Sequence, residues 1–382
     1  MSGTKARRRN NCLQTCVRVF TPIAAILMVF VLVVTVGPTL AATPVGLSTS
    51  THSSTSEEPG VLSSCAIPAA WSDTLDPADG YVYVVSADGG VFVVKPPCDV
   101  IRTMLLDALS YGVVYDPETK EIVVDGFSLV GPDSNAYVIQ GLSLVKTVQI
   151  GPPNTPCPDG EGWDPAINSV LIADYCPSGF PGGVTVLHLI LDKGATHAEV
   201  QYNRFDQNDP PWAVLVASGY IFAAGNVVDV FDAKTLHYVG DFAFKHSGCL
   251  SGGSSSLAWD PLAQAVILGL GDVCGHGSVV FLSVPSIRSG EFTVSYLSIP
   301  TGMLWGGVGG EAFSPYTHDV YLTAYDGNDV WKLSPSGELS HVSLSKDSSP
   351  EGPASPQGIA YDPVSHDMYV CGFDSGTVYV IR

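Results

Sequence analysis

Near its C-terminus the chain reads Pro356-Gln357-Gly358-Ile359-Ala360-Tyr361-Asp362-Pro363, then His366-Asp367-Met368-Tyr369-Val370-Cys371, then Gly376-Thr377-Val378-Tyr379-Val380-Ile381. The Asp-Pro pair presets a turn, because an aspartate bonds its own following backbone and proline fixes φ. The two stretches after it alternate apolar with small or polar residues, as half-buried strands do, and an Asp-Ser-Gly turn separates them. The same unit recurs upstream. Its markers are Asp76-Pro77, Asp116-Pro117, Asp164-Pro165, Asp260-Pro261, Ser314-Pro315 and Asp362-Pro363, separated by 40, 48, 96, 54 and 48 residues. The 96 is twice 48, so one unit has lost its marker. That unit, the fourth, uses Ser218-Gly219 as a tighter turn. A period in the forties with several strands per unit is the signature of a β-propeller. Seven units of about 45 residues fill the chain from Ile67 to Arg382. The reading is therefore an all-β, seven-bladed propeller over residues 60–382.

The last unit supplies only three strands before Arg382. An open ring would leave an exposed strand edge, and the segment 60–66 is the expected closing strand. No segment after residue 60 has the pattern of a long amphipathic helix, and Thr103–Leu109 has room for a turn or two at most.

These repeats resemble the YVTN-type repeats of surface-layer and YncE-like seven-bladed propellers, most specifically in the last unit. The resemblance implies a fold and a cell-surface setting, and it implies no catalytic residues.

Residues 1–18 carry Lys5, Arg7, Arg8, Arg9 and Arg18 and no acid, and no charge occurs from Val19 to Leu47. A basic end followed by an apolar run is a signal anchor or a cleaved signal peptide, here spanning 19–42. The run is long enough to cross about 30 Å of hydrocarbon as a helix. Either reading exports the propeller, to the extracellular face of the membrane or as a secreted protein. Residues 43–59 form a Ser/Thr-rich linker that cannot bury a core.

The first 18 residues hold five of the 17 Lys and Arg and none of the 37 Asp and Glu, which leaves the remainder at −25. Such a surface repels nucleic acid, whose phosphates need clustered cations. The partner expected is a protein or glycan at the cell surface, with the membrane met through the N-terminal segment alone.

Cysteine usage fits export. Cys157 and Cys176 flank the first two strands of the third unit, and Cys249 and Cys274 hold the same places in the fifth, which points to two disulfides within blades. Zinc is the competing reading for the second pair, with His246 and His276 beside it. Cys65 is expected to pair with Cys98, with Cys371 as the less favoured partner. Cys371 lies mid-strand and reads as a small buried hydrophobe.

Three acids share one repeat position. Glu161, Glu311 and Asp73 each lie three residues before the turn pair, where other units have Val113, Leu257 and Ile359. First strands line a propeller's channel, so these carboxyls are candidates to hold a divalent cation, or two of them to serve as an acid–base pair. The alternative is that they face channel water or neighbouring backbone. The Glu161 segment also resembles the Glu-Gly-Pro-x-Trp strand of the gluconolactonase family, where that glutamate binds the catalytic metal. Here the proline is absent, the spacing to Trp163 is shorter, and the family's later ligands are not identifiable. No cofactor is expected beyond such a cation.

No Gly-x-Ser-x-Gly elbow, Rossmann fingerprint or P-loop occurs. The Asp-Gly pairs at 79–80, 88–89, 125–126, 159–160 and 326–327 are read as hairpin turns. The recurring aromatics Trp71, Trp163, Trp212, Trp259, Phe313 and Tyr361 are read as packing between blades. These features favour a binding or structural module, with a metal-dependent lactonase-like hydrolase as the alternative. The binding loops expected are the inserts at Pro177–Gly183, with Phe180, Pro181 and Gly182, and at Gly271–Gly277, with Asp272 and His276.

Overall fold

A computed structural model describes residues 60–128, 134–150, 158–174, 183–192, 195–204, 211–243, 256–271, 277–299, 308–324, 327–344 and 354–382. They form seven antiparallel sheets. Blade 1 runs Ala70–Asp76, Tyr81–Ser86, Gly90–Lys95, Asp99–Leu105, and blades 3 to 6 repeat this in-to-out order of four consecutive strands. Blade 7 takes Pro356–Tyr361, Met368–Gly372 and Thr377–Ile381 from the end of the chain and its fourth strand, Val61–Ala66, from before blade 1. Cys65 lies opposite Val378 and Ala66 opposite Thr377, so the two ends of the propeller are zipped together as the sequence required.

The turn markers act as read. Backbone N–H groups at Ala78, Glu118, Ala166, Leu262 and Val364 donate to Oδ1 of Asp76, Asp116, Asp164, Asp260 and Asp362 at 2.7–2.8 Å. Four residues after each marker the backbone turns left-handed, at Gly80, Lys120, Asn168, Gln264, His318 and His366. His318 and His366 therefore hold turn positions. In blade 4 the lost marker is replaced by Ser218 and Gly219, both with positive φ.

The hydrophobic core is a ring of seven clusters, one at each junction of two blades. In Ser169–Asp174, Val170 and Ile172 pack towards blade 2, while Leu171 and Ala173 pack towards blade 4. The second strands are thus buried on both faces rather than half-buried. This is why they read as unbroken apolar runs such as Tyr81–Val85.

Two local expectations are corrected. Thr103–Leu109 is not helical, because its residues continue the strand Asp99–Leu105 and supply the short strand Ala108–Leu109. Among the described residues one short helix, Val284–Arg288, in keeping with the lack of a long one, lies between the third and fourth strands of blade 5 and buries Val284 and Ile287; Arg288 donates to Ser218 Oγ at 2.7 Å, tying blade 5 to the turn of blade 4. The pairs Asp125-Gly126 and Asp159-Gly160 lie inside the strands Glu121–Ser128 and Pro158–Asp164. There the glycine makes room for a neighbour rather than a turn: for the Tyr137 ring and Ala108 Cβ at Gly126, and for the backbone of Trp212 and Ala213 at Gly160.

Cys65 and Cys98 form a disulfide that joins the closing strand of blade 7 to blade 1. Cys371 is a free thiol, buried beside that seam. Cys157, Cys176, Cys249 and Cys274, the zinc alternative at His246 and His276, and the N-terminal segments before Gly60 lie outside the described residues.

The Cys65–Cys98 bond spans 33 residues, and closing a loop of that size stabilises by about 3–4 kcal/mol. Cys98→Ser is expected to lower the unfolding midpoint by several degrees without reductant, and the gap between wild type and variant should close in excess reductant. Equal midpoints without reductant would show that the bond does not secure the ring.

Candidate functional site

The innermost strand of each blade meets the innermost strands of its neighbours, so seven first strands encircle one axis. Close approach is built into the sequence. A Cβ on Gly358 would fall 2.6 Å from Ser72 Cα, and one on Gly160 would fall 2.8 Å from the Trp212 carbonyl oxygen, which the Gly160 N–H already bonds at 2.9 Å.

Around this axis lies a cavity of about 200 Å³. Asp73, Val113, Glu161, Val214, Leu257, Glu311 and Ile359 all line it, one from each blade. Each occupies the same repeat position, three residues before the end of its first strand or its turn marker. The three acids predicted from the sequence are therefore brought to one cavity, interleaved with four aliphatic side chains. They stand on blades 1, 3 and 6, spread around the ring. Among the described residues, no group of three or more His, Cys, Asp or Glu side chains is close enough to hold a metal ion. The residues proposed as metal ligands thus share a chamber without sharing a coordination point.

Their environments differ. Glu311 is held: its Oε1 accepts the Gly269 N–H at 2.5 Å, its Oε2 accepts the Ser256 hydroxyl, and Ser256 Oγ accepts the Glu311 N–H at 2.7 Å. Burial still pushes its pKa up to about 8. Asp73 is only 8% exposed, and neither carboxyl oxygen has a partner in good hydrogen-bond geometry. Burial holds its pKa well above the usual range, with the Cys371 thiol and the Ala360 backbone offering partial relief. The same proximity and burial push the Cys371 thiol up. Both oxygens of Glu161 are likewise covered and unpartnered. Burial, then the neighbouring Asp125 carboxyl, raise its pKa.

Sequence reading missed Asp125, Asp159 and the aromatic wall. The first strand of blade 2 is broken into Ala108–Leu109 and Val113–Asp116, both paired with Glu121–Ser128. In the break, Asp125 Oδ1 accepts the N–H groups of Tyr111 and Gly112 at 3.0 and 2.9 Å. That diversion sets Tyr111 on the cavity wall, edge-on to Trp71 with ring centroids 5.1 Å apart. Trp71 also lines the cavity, unlike Trp163, Trp259, Phe313 and Tyr361, which pack at blade junctions as expected. Asp159 lines the wall with its pKa raised to about 7 by burial. The one available signal was an Asp-Gly pair followed by Glu-Gly inside a strand-length segment. The proposed binding-loop residues Phe180, Pro181, Gly182, Asp272 and His276 lie outside the described residues.

No protein-family model matches the chain, and no curated protein matches it in sequence. Its fold is similar to solved structures at 10% identity. One is virginiamycin B lyase from Staphylococcus aureus, with a TM-score of 0.63 over 84% of this chain and 98% of that one. Another is a streptogramin B lyase, with a TM-score of 0.60 over 85% and 96%. A third is the Swd1 β-propeller domain of Myceliophteria thermophila, with a TM-score of 0.61 over 85% and 99%. The chain is a seven-bladed β-propeller. Neighbours so divergent in sequence and in kind fix the propeller and nothing finer.

The raised carboxyls give a pH signature. A group whose pKa is higher folded than unfolded binds its proton more tightly in the native state, so stability falls as pH rises between the two values. Glu311 at about 8 and Asp159 at about 7 place that loss between ordinary carboxylate values and mild alkali. The unfolding midpoint is expected to drop by several degrees from about pH 5 to about pH 8.5, and less in Glu311→Gln, which keeps an acceptor for Gly269. A midpoint that rises over this range would contradict the assignment.

Proposed function

We propose that the chain is an exported, surface-displayed propeller that captures a ligand without transforming it. The observation that carries this reading is the axial cavity, to which all seven blades contribute one equivalent residue. Its three repeat-equivalent carboxyls stand on separate blades rather than in one metal shell, and Glu161 has the Asp125 carboxyl beside it. Among the described residues no histidine, lysine or arginine lines it. The setting follows from the basic residues 1–18, the apolar run 19–42 and the Ser/Thr-rich stretch 43–59. The resemblance of the repeats to YVTN-type surface-layer propellers supports the same location. The excess of acid over base in residues 19–382 argues against nucleic acid as partner and favours a protein, glycan or smaller ligand bearing positive charge.

The lyase neighbours do not alter this reading. One of them was solved as a catalytically inactive histidine-to-alanine variant with quinupristin, and the described cavity here offers no histidine.

A second reading, a metal-dependent lactonase-like hydrolase, is favoured by one feature. Glu161 and Glu311 face the same chamber, and Glu311 at about 8 would carry a proton near neutrality, as a general acid does. The two readings separate in a hydrolysis screen of the purified full-length chain on lactones and phosphotriesters with added calcium, zinc or manganese. The expected result is no turnover above buffer with any metal. Turnover that Glu161→Gln abolishes would replace the binding reading with the hydrolase.

A further inference from the structure

We propose that the axial cavity binds a small organic dication, two ammonium groups joined by a short alkyl chain, through Asp73 and Glu161. The inference rests on the binding-module reading and names its ligand class.

A buried carboxyl oxygen without a donor is costly, and native structures almost always satisfy such atoms. Here the cavity carries four covered carboxyl oxygens with no donor in good hydrogen-bond geometry, two on Asp73 and two on Glu161, relieved only in part by the Cys371 thiol and the backbone of Ala360 and Asp125. Asp73 is more than nine-tenths buried, so bulk water does not serve it. Both side chains accept and neither has a basic neighbour on the cavity wall. What they lack is a cationic donor.

The arrangement discriminates between cations. A divalent metal gathers six or more oxygens within about 2.6 Å of one point, and the described acids do not converge that way. A dication with separated charges has no such need, since each ammonium brings its own N–H donors to its own carboxyl. Between blades 1 and 3 the ring presents Val113, which suits an alkyl link. Trp71 and Tyr111 add aromatic surface on the same side, and aromatic faces attract ammonium groups. A chamber of about 200 Å³ admits a molecule of a few heavy atoms and excludes a folded partner. The −25 charge of residues 19–382 would concentrate such cations at the channel mouth.

The test uses the full-length chain in mild detergent and 1,4-diaminobutane as the probe, followed by calorimetry and thermal unfolding. The diamine should bind saturably and raise the unfolding midpoint, while 1-aminobutane at equal ionic strength binds at least tenfold more weakly. Asp73→Asn and Glu161→Gln should each weaken the diamine by tenfold or more. Tyr316→Ala, at an exposed turn away from the cavity, should bind as the wild type does. Because Asp73→Asn alters a buried group and a folding failure is conceivable there, Glu161→Gln decides if that variant is unfolded by circular dichroism. Diamine binding no better than 1-aminobutane, or unaltered in Glu161→Gln, overturns the proposal. So does calcium alone displacing the diamine at lower concentration. Mass spectrometry of the recovered diamine separates the two claims. Chemically altered diamine would keep the ligand class and sink the non-enzymatic reading, whereas no binding and no turnover would sink the ligand class and leave that reading standing.

Discussion

Antiparallel pairing of Val61–Ala66 with Thr377–Ile381 is the contact from which the rest of the molecule follows. A propeller blade buries both faces of its middle strands against its neighbours, so no blade is complete until the ring is. Once the first strand of the described chain joins the last, every blade junction acquires its apolar cluster, including the one between blades 7 and 1 that holds Ile67, Val82, Tyr369 and Val380. The Cys65–Cys98 disulfide then fastens the seam at which the ring would otherwise open.

Closure has an electrostatic consequence. It brings seven equivalent positions around one axis, and acids occupy three of them. Glycines at Gly160 and Gly358 let the inner strands crowd together, which removes water from carboxyls that would be ordinary surface groups on an open sheet. Desolvation is the first cause of the raised pKa at Asp73, Asp159, Glu161 and Glu311 alike. Burial thus raises the proton affinity of every acid in the chamber, and a cation that enters competes with those protons. Among these groups, Glu311 is anchored by Ser256 and Gly269, whereas Asp73 and Glu161 retain unpartnered oxygens.

The fold was legible because its marker has a mechanism. An aspartate that bonds the N–H two residues on makes the same turn in five blades, and the repeat spacing counts the rest. The same marker fixed which residue of each first strand faces the axis, so Asp73, Glu161 and Glu311 could be placed in one channel from sequence. Other parts of the site were hidden for identifiable reasons. Asp125-Gly126 and Asp159-Gly160 have the composition of hairpin turns, and only three-dimensional crowding explains a glycine in those strands, by Tyr137 and Ala108 of the same blade at Gly126 and by the next blade's backbone at Gly160. Tyr111 reaches the cavity through a break in a strand that depends on Asp125, fourteen residues away in the chain. Dispersal of the acids around the ring depends on blade order, and the repeat pattern read by itself left a common metal, an acid–base pair and solvated carboxyls open.

The central claim is that ring closure raises the proton affinity of the axial carboxyls, and infrared difference spectroscopy with isotope-labelled Asp and Glu tests it most directly. The account predicts a band from protonated carboxyl that persists at neutral pH, titrates between about 7 and 8, and shrinks in Glu311→Gln. Loss of all protonated carboxyl by about pH 5, the range of exposed Asp and Glu, would contradict it.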